Sequence, residues 1–193
     1  MNKIKKPSQE EAEEAVRTLI RWLGDDPNRG GLLDTPRRVV KSYTECFLGY
    51  NQDPAEIINK TFPDIAGYND IVLLQDISFI SFCEHHILPF KGKVNVAYIP
   101  NNQVVGISKI VRIVDILSKR LQIQERLTAQ IANIIDSSLK PLGVAASITA
   151  EHECMACRGA NKYGTKVSTN HMLGLFLEDI NLRHTLLTLF NKK

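Results

Sequence analysis

Ile77-Ser78-Phe79-Ile80-Ser81-Phe82-Cys83-Glu84-His85-His86-Ile87-Leu88-Pro89-Phe90-Lys91-Gly92-Lys93-Val94-Asn95-Val96-Ala97-Tyr98-Ile99 reads as two strands joined by a chemically loaded turn. The first half is rich in β-branched and aromatic residues. With Ile71-Val72-Leu73-Leu74 before it, it predicts one bent strand running into the turn. In the second half Val94, Val96 and Tyr98 alternate on one face, as an antiparallel partner with one buried side would require. Cys83, Glu84, His85 and His86 then fall at a hairpin tip, where functional side chains are commonly held.

On either side of this hairpin the pattern becomes helical. Ser108 to Leu121 and Ile123 to Leu139 are periodic, and Ile123, Leu127, Ile131, Ile134, Ile135 and Leu139 mark one buried stripe. Pro141-Leu142-Gly143 ends that pair. Val144 to Ala150 reads as a strand delivering His152 and Cys154, with Lys166 to Thr169 as its partner and Asp179 to Phe190 as a terminal helix. Upstream, Ala12, Val16, Leu19, Ile20 and Leu23 recur at helical spacing behind Ser8, a residue suited to an N-cap. Thr35-Pro36 starts a second helix running to about Leu48, expected to bury Val39, Val40, Tyr43 and Phe47, and Pro54 to Lys60 a short third one. Two strands, two helices and two strands predict an α+β domain, an antiparallel sheet with two long helices packed on one face, preceded by an N-terminal helical arm. Residues 1–66 are assigned to the helical region and 67–193 to the catalytic domain.

Thiols and imidazoles at this spacing point to a metal. Cys83 and His86 stand three apart, so one tight turn aims both at a single ion, and Cys154 adds a third ligand from elsewhere. Zinc favours this donor set, and three protein ligands leave a fourth tetrahedral position for water. Cys154 and Cys157 are also three apart, however. A closed site of Cys83, His86, Cys154 and Cys157 would be structural, and spacing alone does not choose between the two. Cys46 and His184 read as packing residues.

Composition restricts the remaining choices. The 193 residues suit one well-cored domain with an extension, and a net charge of +3 gives no reason to expect nucleic acid as a partner. Met1 to Lys6 is not followed by an apolar segment of the signal-peptide kind, and no apolar run has membrane-spanning length, so a cytoplasmic protein with no membrane partner is expected. In a reducing compartment the four cysteines are metal ligands or free thiols. A zinc nucleobase deaminase would need His-x-Glu followed by Pro-Cys-x-x-Cys, a context these residues do not supply.

Four motifs in order carry a family resemblance: Ser81 to Gly92, Gly106-Ile107-Ser108-Lys109, Gln122 to Thr128, and His152-Glu153-Cys154-Met155-Ala156-Cys157-Arg158-Gly159. Together with Thr35-Pro36-Arg37-Arg38-Val39 and Met172-Leu173-Gly174 they closely resemble GTP cyclohydrolase I, from about residue 10 onward. The resemblance implies the tunnelling fold, in which small α+β subunits pool their sheets into a barrel. It also implies a homodecamer of two pentamers with active sites between subunits, which permits coupling among them. The implied reaction is zinc-dependent opening of the guanine imidazole ring of GTP at C8. Formate is released and the remainder recloses to 7,8-dihydroneopterin triphosphate, the entry to folate and other pterins.

Carried over residue by residue, the resemblance assigns Zn2+ to Cys83, His86 and Cys154 and leaves Cys157 out. It gives proton transfer to His85 and His152 and guanine recognition to Glu125, with Gln124 and Ile107 among the substrate-binding residues. Triphosphate binding falls to Ser108, Lys109, Arg112 and Arg158, with Arg38 and Lys41 supplied by a neighbouring subunit. In one stretch the chain departs from the family's Ser-x-Thr-x-Thr pattern: Thr165-Lys166-Val167-Ser168-Thr169 lacks one hydroxyl at Val167. A local packing difference is expected there.

Overall fold

Residues 5–58, 61–63 and 65–191 are described by a computed structural model of the chain. They fall into two compact units, Met1–Phe47 and Leu48–Lys193. In the first unit, α1 (Gln9–Trp22) starts at the expected Ser8. Its hydroxyl accepts from the Glu11 amide while the Glu11 carboxylate accepts from the Ser8 amide, a reciprocal cap. Helix α2 (Thr35–Cys46) begins at the expected Thr35-Pro36, with Asp34 at the N-cap and Pro36 in the first turn. Tyr43 does not go inside: it is 42% exposed and meets Phe47 edge-on at 5.3 Å. Leu19, Trp22 and Leu23 of this unit are exposed as well.

The second unit is built around a five-stranded sheet. Its elements in order are β1 (Thr61–Phe62), β2 (Val72–Cys83), β3 (Pro89–Ile99), β4 (Val104–Val105), α3 (Ile107–Ser118), β5 (Leu121–Gln122), α4 (Gln124–Leu139), β6 (Gly143–His152), α5 (Glu153–Ala156), β7 (Lys166–Gly174), α6 (Leu175–Glu178) and α7 (Ile180–Asn191). The sheet order is β5-β2-β3-β6-β7, antiparallel except where β5 runs parallel to β2; β1 and β4 form a separate pair. The bend expected in β2 is a break in register between Leu74 and Ile77, with Asp76 at φ +58°. The proposed helix at Pro54–Lys60 is a single 3-10 turn over Pro54–Ile57; residues 59 and 60 lie outside the described residues.

Alternation along the strands decides which face each helix covers. Val94, Val96, Tyr98, Val144, Ala146 and Ile148 point to the side occupied by α3 and α4, where they meet Ile110, Ile113, Leu117, Leu127, Ile131, Ile135 and Leu139. Each large side chain removed from water there contributes about 2 kcal/mol before entropic costs, so this layer holds the sheet. The intervening residues Ala97, Ile99 and Ala145 point the other way, under Phe176 and Leu186 of α6 and α7. The two long helices thus share one face, as expected, and the terminal helices take part of the opposite one. This α+β subunit has the architecture that the tunnelling-fold resemblance implies.

A candidate metal centre at the end of the sheet

The metal-rich turn is built by the backbone of the β2–β3 hairpin. The Cys83 amide donates to the Leu88 carbonyl at 2.9 Å, and the Ile87 amide returns to the Cys83 carbonyl at 2.8 Å with Ile87 at φ +55°. One residue on, the Glu84 amide donates to the Gln122 carbonyl at 3.0 Å, tying the turn to β5 and so to the first turn of α4. From across the sheet, β3 and β6 pair with Phe90 opposite His152, which brings the end of β6 and the following turn to the same edge. Three strand ends and one helix start therefore converge here.

Among the described residues, one group of three metal-ligating side chains gathers within 4.8 Å: Cys83, His86 and Cys154. Cys83 Sγ and His86 Nδ1 are 3.8 Å apart. Bonds of roughly 2.3 Å to sulfur and 2.0 Å to nitrogen at tetrahedral angles separate such donors by about 3.5 Å, so the spacing fits a zinc-sized ion. His85 Nδ1 lies as close to Cys83 Sγ, at 3.7 Å, but is outside the group that includes Cys154. Cys157 is exposed and its thiol donates to the Glu153 carbonyl at 2.9 Å, away from the other three. Burial, followed by the neighbouring Cys83, pushes the Cys154 thiol up.

His152 is held on two sides. Its ring stacks on buried Phe90 with 4.6 Å between centroids and 1° between planes, and its Nε2 meets Gln124 Oε1 at 2.8 Å. Burial lowers its pKa, partly opposed by the charge of Glu125. Gln124 is 2% exposed, and its amide nitrogen donates to Ile148 O, Val167 O and Thr169 Oγ1 at 3.1, 2.9 and 3.1 Å. On the turn itself, Arg126 of α4 donates through both terminal nitrogens to the two carboxylate oxygens of Glu84, at 2.5 and 3.1 Å. That guanidinium holds the Glu84 carboxyl below its usual range. A three-donor pocket flanked by two further imidazoles can bind a metal and move protons beside it.

Comparison with known proteins agrees with this geometry. The family model for GTP cyclohydrolase I matches residues 12–191. GTP cyclohydrolase 1 of Rickettsia felis is 54% identical over 190 residues, covering 98% of this chain and 100% of the relative. The protein of the same name from Rickettsia bellii is 53% identical, covering 98% and 99%. The chain belongs to the GTP cyclohydrolase I family. A solved structure of an archaeosine synthase QueF-Like in the apo form covers 54% of this chain and 93% of its own at 20% identity, with a TM-score of 0.46, a likeness too distant to bear on function.

The remaining residues implied by the GTP cyclohydrolase I resemblance are spread more widely. Glu125 is exposed at the start of α4, between Gln124 and Arg126. Ile107, Ser108, Lys109 and Arg112 occupy the first half of α3; Ile107 is 65% exposed and Lys109 Nζ donates to the Ile57 carbonyl at 2.9 Å. Arg112 lines a surface hollow of about 340 Å³ with Asp115, Lys119 and Gln52. Lys109 lies in the first turn of α3, whose other end leads into β5, the strand paired with Cys83. Arg158 is exposed just after α5, and its charge bears on Cys154. Arg38 and Lys41 lie exposed on α2 in the first unit, with Arg38 3.3 Å from Asp34.

One local expectation changes: the strand read over Val144 to Ala150 extends through His152, and Glu153 and Cys154 belong to the one-turn α5. Val167 loses a hydroxyl but keeps its place in the network, because its carbonyl is what Gln124 bonds. The platform Phe90, the Glu84–Arg126 clamp and the Thr169 anchor were not singled out from the sequence. The pairing of Phe90 with His152 depends on a strand register that neither segment reveals alone.

Proposed function

We propose that the chain hydrolyses the imidazole ring of GTP at C8, releases formate and recloses the product to 7,8-dihydroneopterin triphosphate, as the first step of folate and pterin synthesis in the cytoplasm. The observation that carries this reading is the gathering of Cys83, His86 and Cys154 beside two imidazoles outside that trio, in a chain of this family. Cys83, His86 and Cys154 would hold Zn2+, and the bound ion would supply an activated water at neutral pH. His152 donates a proton to N7 of the base, making C8 a better electrophile, and its partial burial keeps bulk water from that transfer. His85, on the exposed side of the turn, handles protons around the attacking water and the ribose. The Glu125 carboxylate accepts from guanine N1–H and the 2-amino group, an edge adenine does not offer. Ile107 adds apolar contact.

Ser108, Lys109, Arg112 and Arg158 bind the triphosphate, with Arg38 and Lys41 contributed by a neighbouring copy. In this reading the site is completed by more than one copy, within a decamer of two pentamers. Residues 67–193 form the catalytic domain in this reading and 1–66 its helical extension. Purified, zinc-loaded protein given GTP should release formate and a product that becomes fluorescent after oxidation. Failure to release either would end the proposal.

A further inference from the structure

We infer that Gln124 is a positioning residue that holds His152 with its proton on Nε2, so that Nδ1 is the ring atom through which a proton passes to the substrate. The inference rests on the reading above, in which His152 is the proton donor. It starts from an amide whose orientation the surrounding groups decide. Gln124 is almost wholly buried, and one end of its side chain faces three oxygens, two of them backbone carbonyls that can only accept. The amide oxygen placed there would meet lone pairs with no proton between them, so that end is the nitrogen.

The third oxygen closes a small circuit. Thr128 Oγ1 donates to the Gln124 carbonyl at 2.8 Å, and Thr169 Oγ1 lies 2.7 Å from Thr128 Oγ1 and 3.1 Å from the Gln124 amide nitrogen. The two amide hydrogens go to the Ile148 and Val167 carbonyls, Thr128 donates to the backbone carbonyl of residue 124, and Thr169 donates to Thr128 while lying against the same amide nitrogen. Every proton in the circuit has an assigned place, and Oε1 of Gln124 is left facing His152 Nε2 at 2.8 Å. An amide oxygen only accepts, so Nε2 carries hydrogen. The Phe90 ring stacked parallel to it fixes the imidazole plane, and a half-turn about the Cβ–Cγ bond would put a carbon against Oε1.

The consequence concerns where the proton moves. Imidazolium carries hydrogen on both nitrogens. When the Nδ1–H bond breaks, its electron pair stays on Nδ1, the proton goes to the base nitrogen, and the neutral Nε2–H form that remains is the one Gln124 already holds. No hydrogen bond has to be rearranged during the step. Gln124 is thereby assigned to the histidine rather than to a side-chain contact with guanine.

Solid-state nitrogen spectra of zinc-loaded, 15N-histidine protein, assigned by loss of signal in His152→Ala, test the tautomer without turnover. The expected neutral His152 has a protonated Nε2 and a bare Nδ1; hydrogen on Nδ1 alone would overturn the inference even if formate release is normal. A chain that released no formate from GTP would still report its tautomer, so the two failures are distinguishable. In kinetics, Gln124→Leu should lower kcat on the order of a hundredfold while KM for GTP changes less than about threefold and metal content is retained. A raised KM with kcat intact would instead mark a guanine contact and overturn it. Should the leucine variant fail to fold, Thr169→Val removes one anchor only; mixed tautomers with reduced kcat are expected, and wild-type values of both would count against the inference.

Discussion

The turn from Cys83 to His86 and the turn from Cys154 to Cys157 each set two metal-ligating residue types three positions apart, and they use that spacing differently. In the hairpin turn both ends aim at one point, because the Ile87 backbone closes the loop and the Glu84 amide anchors it to β5. In the second turn the backbone is a single helical turn, and only Cys154 faces the hairpin, while the Cys157 thiol folds back on the Glu153 carbonyl. Residue spacing sets how far apart two side chains start; neighbouring backbone sets where they point. The first turn is anchored at Glu84 to β5 and to Arg126, whereas the second is held by Lys91 against Glu153 and by the Lys162 amide on the Met155 carbonyl.

The largest expected effect breaks that comparison at its sulfurs. Cys154→Ala should lose nearly all tightly bound zinc and all measurable formate release, whereas Cys157→Ala should keep both within about twofold. Equal loss of zinc from the two proteins would mean that Cys157 closes the coordination sphere. Next in size, His152→Ala should hold zinc at wild-type stoichiometry while turnover falls by roughly 10²-fold to 10⁴-fold, the range associated with losing a general acid. Loss of the metal along with activity would place the ring among the ligands.

A subtler contrast concerns the anchor of the first turn. Replacing Arg126 by leucine frees Glu84, and kcat/KM should fall about tenfold, by analogy with outer residues that orient metal ligands. In a double-mutant cycle, adding Glu84→Gln should cost little more, since the two side chains act as one clamp. Independent, additive losses would show that the pair does not act as a unit. The smallest effect is on stability. Burial lowers the His152 pKa in the fold, so just below the ordinary imidazole value of about 6.5 the unfolded chain binds the extra proton more readily than the folded one. Stability from this group is present above that value and is lost as pH falls towards the lowered one. Urea unfolding of metal-free protein at pH 7.5 and 5.5 should therefore show a larger acid loss for wild type than for His152→Gln; an identical loss would remove His152 from the account.

Much of this was legible from residue types because the relevant signals are local. The alternation of Val94, Val96 and Tyr98, the stripe from Leu127 to Leu139 and the cap at Ser8 each follow from a few consecutive residues and reappear as expected. What sequence could not supply was long-range. Phe90 becomes a platform only through its register with β6, and Arg126 becomes a clamp only because β5 carries the start of α4 to the hairpin tip. The resemblance assigns Gln124 to the substrate, and its hydrogen-bond partners in β6 and β7 lie more than twenty residues away in the chain, where sequence alone does not show them. The exposed Tyr43, expected in a core, shows the same limit, since helical periodicity names a face without saying what covers it.

Formate release from GTP by protein stripped with a chelator and then titrated with zinc tests the central claim most directly. The account predicts no formate from the stripped protein and full recovery at one zinc per chain, with Cys157→Ala behaving as wild type. Formate release that persists in the stripped protein, or fails to return with zinc, would contradict it.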